Sequence, residues 1–198
     1  MDRVKKWLGS VFRAPRIADA KRIVLGAGRT VYPGWYSTNR ETLDLLKRGD
    51  FARHWQPGTR EAFLAEHVWE HLSEDDGRTA ARNCYEFLRA GGRLRIAVPD
   101  GHNPDSAYRE YVRPGGTGPG ADDHKVLYTA ESLHAALTAV GYACEWLEYW
   151  DASGKFHAKD WRAEDGYISR SKRFDSRNAD GVLRYTSLII DALKPSQP

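Results

Sequence analysis

Apolar residues fall in two rhythms along the chain, short runs or alternations that suit strands and stripes at helical spacing, with turn residues between them. Ile23, Val24 and Leu25 form an unbroken apolar run that stops at Gly26-Ala27-Gly28, the pattern of a buried strand entering a tight turn. Tyr32-Pro33-Gly34 leads into a second predicted strand, Trp35 to Thr38, and Phe63-Leu64-Ala65 predicts a further one. Leu94, Ile96 and Val98 alternate into the next, which ends at Pro99-Asp100-Gly101-His102. Ala143 to Trp150 and Ser187 to Leu193 read as the last two. Among the helical stripes, Val4, Trp7, Leu8 and Val11 predict an amphipathic, basic helix within Met1 to Ala20. Glu41 to Arg48 has the composition of a short helix, whereas Gly49 to Glu61 shows no periodicity and predicts a loop with at most a short strand. Ser73 with Glu74, Asp75 and Asp76 caps a helix through Ala80, Cys84 and Leu88 that stops at Gly91-Gly92. Thr129 caps another through Leu133, Leu137 and Val140, which stops at Gly141.

This order predicts one α/β domain over residues 21–194, preceded by the helix of residues 1–20. Two stretches interrupt it. Residues 103–128 are rich in Pro, Gly and Asp and predict a lid after a strand end, and residues 151–185 form a polar insertion dense in Arg and Lys. The connection from Gly28 to Trp35 is too short for the helix that a parallel crossover normally carries.

Charge changes this picture little. Lys and Arg number 30 against 27 Asp and Glu, a net charge of +3 that does not call for a nucleic-acid partner. The two cysteines, Cys84 and Cys144, sit in apolar surroundings and fit a reduced, cytoplasmic protein. No apolar run is long enough to span a bilayer. The basic cluster from Arg162 to Arg177 suits a carboxylate or phosphate, and the insertion beside the last strand suits a homodimer contact.

Four motifs in order carry a resemblance: Gly26-Ala27-Gly28, Pro33-Gly34-Trp35, His67-Val68-Trp69-Glu70-His71-Leu72, and Gly91-Gly92-Arg93-Leu94-Arg95-Ile96-Ala97-Val98-Pro99-Asp100. Together with the final apolar Ser187 to Ala192, they resemble a compact branch of the class I S-adenosylmethionine-dependent methyltransferases over Arg22 to Lys194. The resemblance implies a Rossmann-like fold, a mostly parallel seven-stranded sheet with an antiparallel last strand. It also implies S-adenosyl-L-methionine as cofactor and methyl transfer to an oxygen or nitrogen of a small-molecule metabolite. On this resemblance Gly26, Ala27 and Gly28 admit the methionine part, and Asn39 stands where an Asp is usual for the ribose, with Glu41 just beyond. Asp50 and Phe51 are placed at the adenine, and Glu66 and His67 border the methyl group. The sequence departs from the dinucleotide fingerprint, since Arg29, Thr30 and Val31 follow where a third glycine belongs.

Methyl transfer needs positioning and, for some acceptors, a base. His124, between Asp122-Asp123 and Lys125, is the first candidate, and His67 the second. Asp100, His102, Tyr108, Tyr111 and Tyr128 are the candidates for holding the acceptor. His67-Val68-Trp69-Glu70-His71 also spells H-x-x-E-H, a zinc-peptidase pattern. Its first histidine follows a strand directly and no third ligand stands out apart from the distant Glu145 or Glu148, so no metal is expected. Two alternatives share the fold: an enzyme that consumes S-adenosylmethionine itself, and a binding protein without turnover.

Overall fold

The computed structural model describes residues 16–196. The helix expected within Met1 to Ala20 lies mostly outside them, and Ile17–Asp19 is a single 3-10 turn.

Seven strands form one sheet: β1 (Arg22–Leu25), β2 (Tyr36–Ser37), β3 (Arg60–Glu66), β4 (Leu88–Val98), β5 (Ala143–Trp150), β6 (Phe156–Ala158) and β7 (Leu188–Leu193). Their order is β2-β1-β3-β4-β7-β5-β6. The pairs β1 with β2, β1 with β3 and β3 with β4 are parallel, and β7 inserts antiparallel between β4 and β5. This is the expected Rossmann-like architecture. The seventh strand, however, is not a third strand within Gly49 to Glu61; it is the three-residue β6, which pairs with β5 as an edge hairpin.

One expected helix is displaced. Residues 41–47 form turns and coil, and the helix α1 lies at Arg48–His54, almost wholly inside the stretch read as a loop. Side chains capture the backbone before a helix can start: Thr42 Oγ1 bonds both the N and the O of Asn39, and Asp44 Oδ1 accepts from Leu46 N. Further on, Asp50 sits in the first turn of α1, Arg53 and His54 in the last, and Phe51 on the inner face. Helix α2 (Glu74–Phe87) is capped by Ser73 Oγ as expected, although it gives way to β4 at Leu88, ahead of Gly91-Gly92. The stretch 103–128 is not wholly irregular and contains α3 (Ser106–Val112). Helix α4 (Ala130–Thr138) carries a full capping box on Thr129 and Ser132.

Helices α1, α2 and α4 bury one face of the sheet. Phe51, Trp55, Phe63 and Phe87 pack with ring centroids 5.3 to 6.0 Å apart, above Ile23, Ile96 and Ile190. The opposite face carries Val24, Leu64, Ala97, Leu147 and Ile189, and residues of the insertion, among them Ile168 and Trp161, cover it. That cover is fastened by charge. Arg95, 1% exposed, donates from Nε and Nη2 to Asp191 at 2.7 and 2.8 Å and from Nη1 to Gly166 O at 2.6 Å, with Trp161 stacked 4.8 Å from its guanidinium. Glu148, equally buried, accepts from Trp161 Nε1, Lys172 N and Thr186 Oγ1. No helix of the described residues is long and apolar enough to cross a membrane.

Candidate active site at the strand ends

Parallel strands of an open sheet place their carboxyl ends together, and ligands bind there. In this chain β1, β3 and β4 end around a cavity of about 580 Å³. Strand β1 leaves through Gly26 and Gly28, both at positive φ (57° and 58°). A Cβ on Gly26 would lie 2.7 Å from Val68 Cγ2, so this glycine admits the chain after β3; a Cβ on Gly28 would meet nothing within 4 Å, so its backbone is open to the cavity.

Asn39 holds that turn in shape. Its Oδ1 accepts from Gly28 N at 2.7 Å and its Nδ2 donates to Gly28 O at 3.0 Å. An ionised carboxylate only accepts and could not make both bonds, which is a physical reason for Asn where the resembled family has Asp. The side chain is thereby spent on the backbone and does not line the cavity.

Strand β3 delivers the densest chemistry. Glu66 accepts from Ser169 Oγ, Arg170 N and Ser169 N, with Tyr32 OH at 3.4 Å. Burial, and then the Glu66 carboxylate, push the Tyr32 phenol up. These contacts bring Arg170 to the cavity, where Arg177 and Tyr185 also lie. His67 follows at φ 55°, the one non-glycine at positive φ among the described residues. Its N donates to Ala97 O at 2.8 Å, its Nδ1 lies 2.8 Å from Glu70 Oε1, and its Nε2 lies 3.0 Å from Ser187 Oγ. This left-handed step reverses the chain into the 3-10 turn Trp69–His71, so Glu70 and His71 face the cavity as well.

His124 arrives from far along the sequence. Lys125 N and Val126 N both donate to Glu70 O, which pins residues 124–126 against the turn after β3. His124 Nδ1 lies 2.7 Å from Val112 O and its ring stands edge-on to His71, centroids 4.8 Å apart. Donation to that carbonyl leaves the Nε2 lone pair of His124 free.

Of the residues singled out from sequence, Gly26, Ala27, Gly28, Glu66, His67, Tyr111 and His124 converge on the cavity. Glu41 is exposed, Asp50 accepts from Asp44 N and pairs with Arg53, and Phe51 is fully buried in the helical core. Asp100 is structural: fully buried, it accepts from His102 N and Trp150 N and joins the ends of β4 and β5. Desolvation raises its carboxyl to about 6 against the pull of those two bonds. His102 lies beside Glu131, and Tyr128 packs in the helical core with its phenol raised to about 12 by burial. Tyr108 is buried against Tyr185, ring centroids 5.2 Å apart, and backs the cavity wall without lining it. Sequence reasoning passed over Tyr32 and Tyr185; Arg170 and Arg177 belong to the basic cluster read as suited to a carboxylate or phosphate, and Glu70 and His71 to the H-x-x-E-H pattern from which no metal is expected.

No protein-family model matches the chain, and no curated protein matches it. Solved structures do. A SAM-dependent methyltransferase from Archaeoglobus fulgidus superposes with a TM-score of 0.50 at 15% identity, over 90% of this chain and 88% of that one. A possible histamine N-methyltransferase from Thermotoga maritima gives 0.50 at 13% identity, over 90% and 87%. The citrinin polyketide synthase CMeT domain gives 0.51 at 14% identity, over 92% of this chain and 48% of that one. The chain has the Rossmann-like fold of these S-adenosylmethionine-dependent methyltransferases.

Proposed function

We propose that the chain is an S-adenosylmethionine-dependent methyltransferase acting on an oxygen or nitrogen of a small acceptor. One observation carries this: the sterically open Gly28 backbone faces the same cavity as an imidazole with a free lone pair. The cavity volume is in the range of small-molecule and cofactor sites. Gly26, Ala27 and Gly28 would hold the methionine part against the backbone, and the Arg170 guanidinium would meet a carboxylate. Bound there, S-adenosylmethionine supplies a sulfonium methyl that an acceptor lone pair takes, the electrons of the broken carbon–sulfur bond remaining on sulfur. His124 Nε2 takes the acceptor's proton, with Val112 O holding the ring in the required tautomer. Tyr111 and Tyr185 wall the acceptor side.

A second reading, a binding protein that keeps the fold without turnover, is favoured by one observation: Asn39 and Glu66 are both spent on backbone contacts. Calorimetric titration with S-adenosylmethionine and S-adenosylhomocysteine separates the two. Micromolar binding of both, weakened by Gly28→Val, supports the methyltransferase. Absence of binding by either ligand overturns it and leaves the second reading.

A further inference from the structure

Glu70 is fully buried, lines the cavity, and neither of its carboxylate oxygens has a hydrogen-bond partner. His67 Nδ1 approaches Oε1 to 2.8 Å without the alignment of a hydrogen bond. A carboxylate withdrawn from water and left without donors is strongly disfavoured unless a cation compensates it. Besides His67, two further imidazoles stand around it. Donor atoms of Glu70, His71 and His124 all lie within 4.8 Å of one another.

Each imidazole is backed by a second contact of the kind that orients metal-binding histidines. His124 Nδ1 lies 2.7 Å from Val112 O, and His71 Nδ1 lies 3.2 Å from the carboxylate of Asp123. Both contacts leave the lone pair on Nε2, the arrangement in which a carbonyl or carboxylate fixes the tautomer of a ligating ring. The geometry points to Glu70, His71 and His124 as a site for a divalent first-row transition-metal ion such as zinc or cobalt. Two nitrogens and one carboxylate suit such an ion, whereas magnesium and calcium favour oxygen alone. Ligand atoms around a bound ion stand about 3.4 Å apart, so side-chain rotation closes the remaining distance.

Three protein ligands leave a coordination position open toward the cavity, and that position takes an oxygen of the ligand held there. The binding of the ion stands independently, while its part in catalysis rests on the methyl-transfer reading. There it narrows the acceptor to one that presents a hydroxyl. With the ion bound, coordination lowers the hydroxyl pKa and its proton leaves to solvent, while the base role of His124 Nε2 belongs to the ion-free chain.

The test is titration of the metal-stripped, tag-free chain with Co²⁺, followed by visible ligand-field absorption, with competition by Zn²⁺. The expected result is one site whose spectrum is lost on adding Zn²⁺, and affinity reduced tenfold or more by Glu70→Gln and by His124→Asn. Asparagine can still donate to Val112 O, so His124→Asn remains informative if Glu70→Gln does not fold. No ligand-field spectrum in the unmodified chain, or a spectrum untouched by His124→Asn, overturns the site. Parallel titration with S-adenosylhomocysteine keeps the two ideas apart. Homocysteine-ligand binding without Co²⁺ binding removes the ion alone, and Co²⁺ binding without the other removes only the catalytic role.

Discussion

The two faces of the sheet are covered by different physics. On one, α1, α2 and α4 lay apolar stripes over Phe63, Ile96 and Ile190, and the contact is mainly hydrophobic, with no buried ion pair among the described residues holding it. On the other, a segment with little regular structure lies over the sheet and is fastened by Arg95, Asp191 and Glu148. Non-directional burial tolerates small shifts, but a bidentate ion pair fixes a position and an angle. The cavity wall belongs to the second kind, since Arg170 and Arg177 hang from the fastened segment. The chain thus uses generic packing where it needs stability and specific polar contacts where it needs a placed cation.

Substitutions on both faces put this contrast at risk. Asp191→Ala leaves the Arg95 guanidinium buried without its carboxylate and is expected to cost about 4 kcal/mol. It should also make the insertion, with its Arg162 and Arg173, the first site of tryptic cleavage; an unchanged digestion pattern would break the comparison. Phe87→Ala, on the helical face, should cost a similar amount, about 3.5 kcal/mol, yet lower the denaturation midpoint without singling out the insertion. Replacing the pair together, as Arg95→Met with Asp191→Leu, sharpens the point: stability should recover to within about 1 kcal/mol of the parent while the cavity wall loses its fixed position.

Acidity gives a subtler distinction. The folded-state carboxyl of Asp100 is raised to about 6 from an ordinary 3.8, so the folded chain holds this proton more tightly than the unfolded one. Its contribution is therefore present below pH 3.8 and lost as pH rises through 6, amounting to about 3 kcal/mol. Asp100→Asn should flatten the stability profile across that window, as measured by urea unfolding at a series of pH values. The smallest expected effect is that of Asn39→Asp, about 1 kcal/mol, because a carboxylate would face Gly28 O and lose the amide donor. A gain in affinity for S-adenosylhomocysteine in that variant would show that freeing the side chain outweighs the turn it holds.

Apolar rhythm made β1, β3, β4, β5, β7, α2 and α4 legible, because the helices present a hydrophobic stripe to one core and the central strands are apolar on both faces. It failed at residues 41–48, where Thr42 and Asp44 bond the local backbone instead of letting it coil, and at β6, too short to carry a period. The insertion escaped it for a related reason: Arg95 alternates correctly as the inward residue of β4, but its inward face is ionic. At the site, turn glycines and strand-end acids announced themselves locally. The meeting of His124 with Glu70 did not, since it depends on backbone bonds from Lys125 and Val126 across more than fifty residues.

The fastening of the insertion also sets an order of events. Arg95 precedes the segment in the chain and Asp191 follows it, so the ion pair can close only after residues 151–185 have already been synthesised. The helical face can begin to collapse earlier, as α1, α2 and α4 all emerge before β7. A nascent chain would therefore carry its scaffold before its cavity wall, and the cavity would be complete only when β7 slots between β4 and β5.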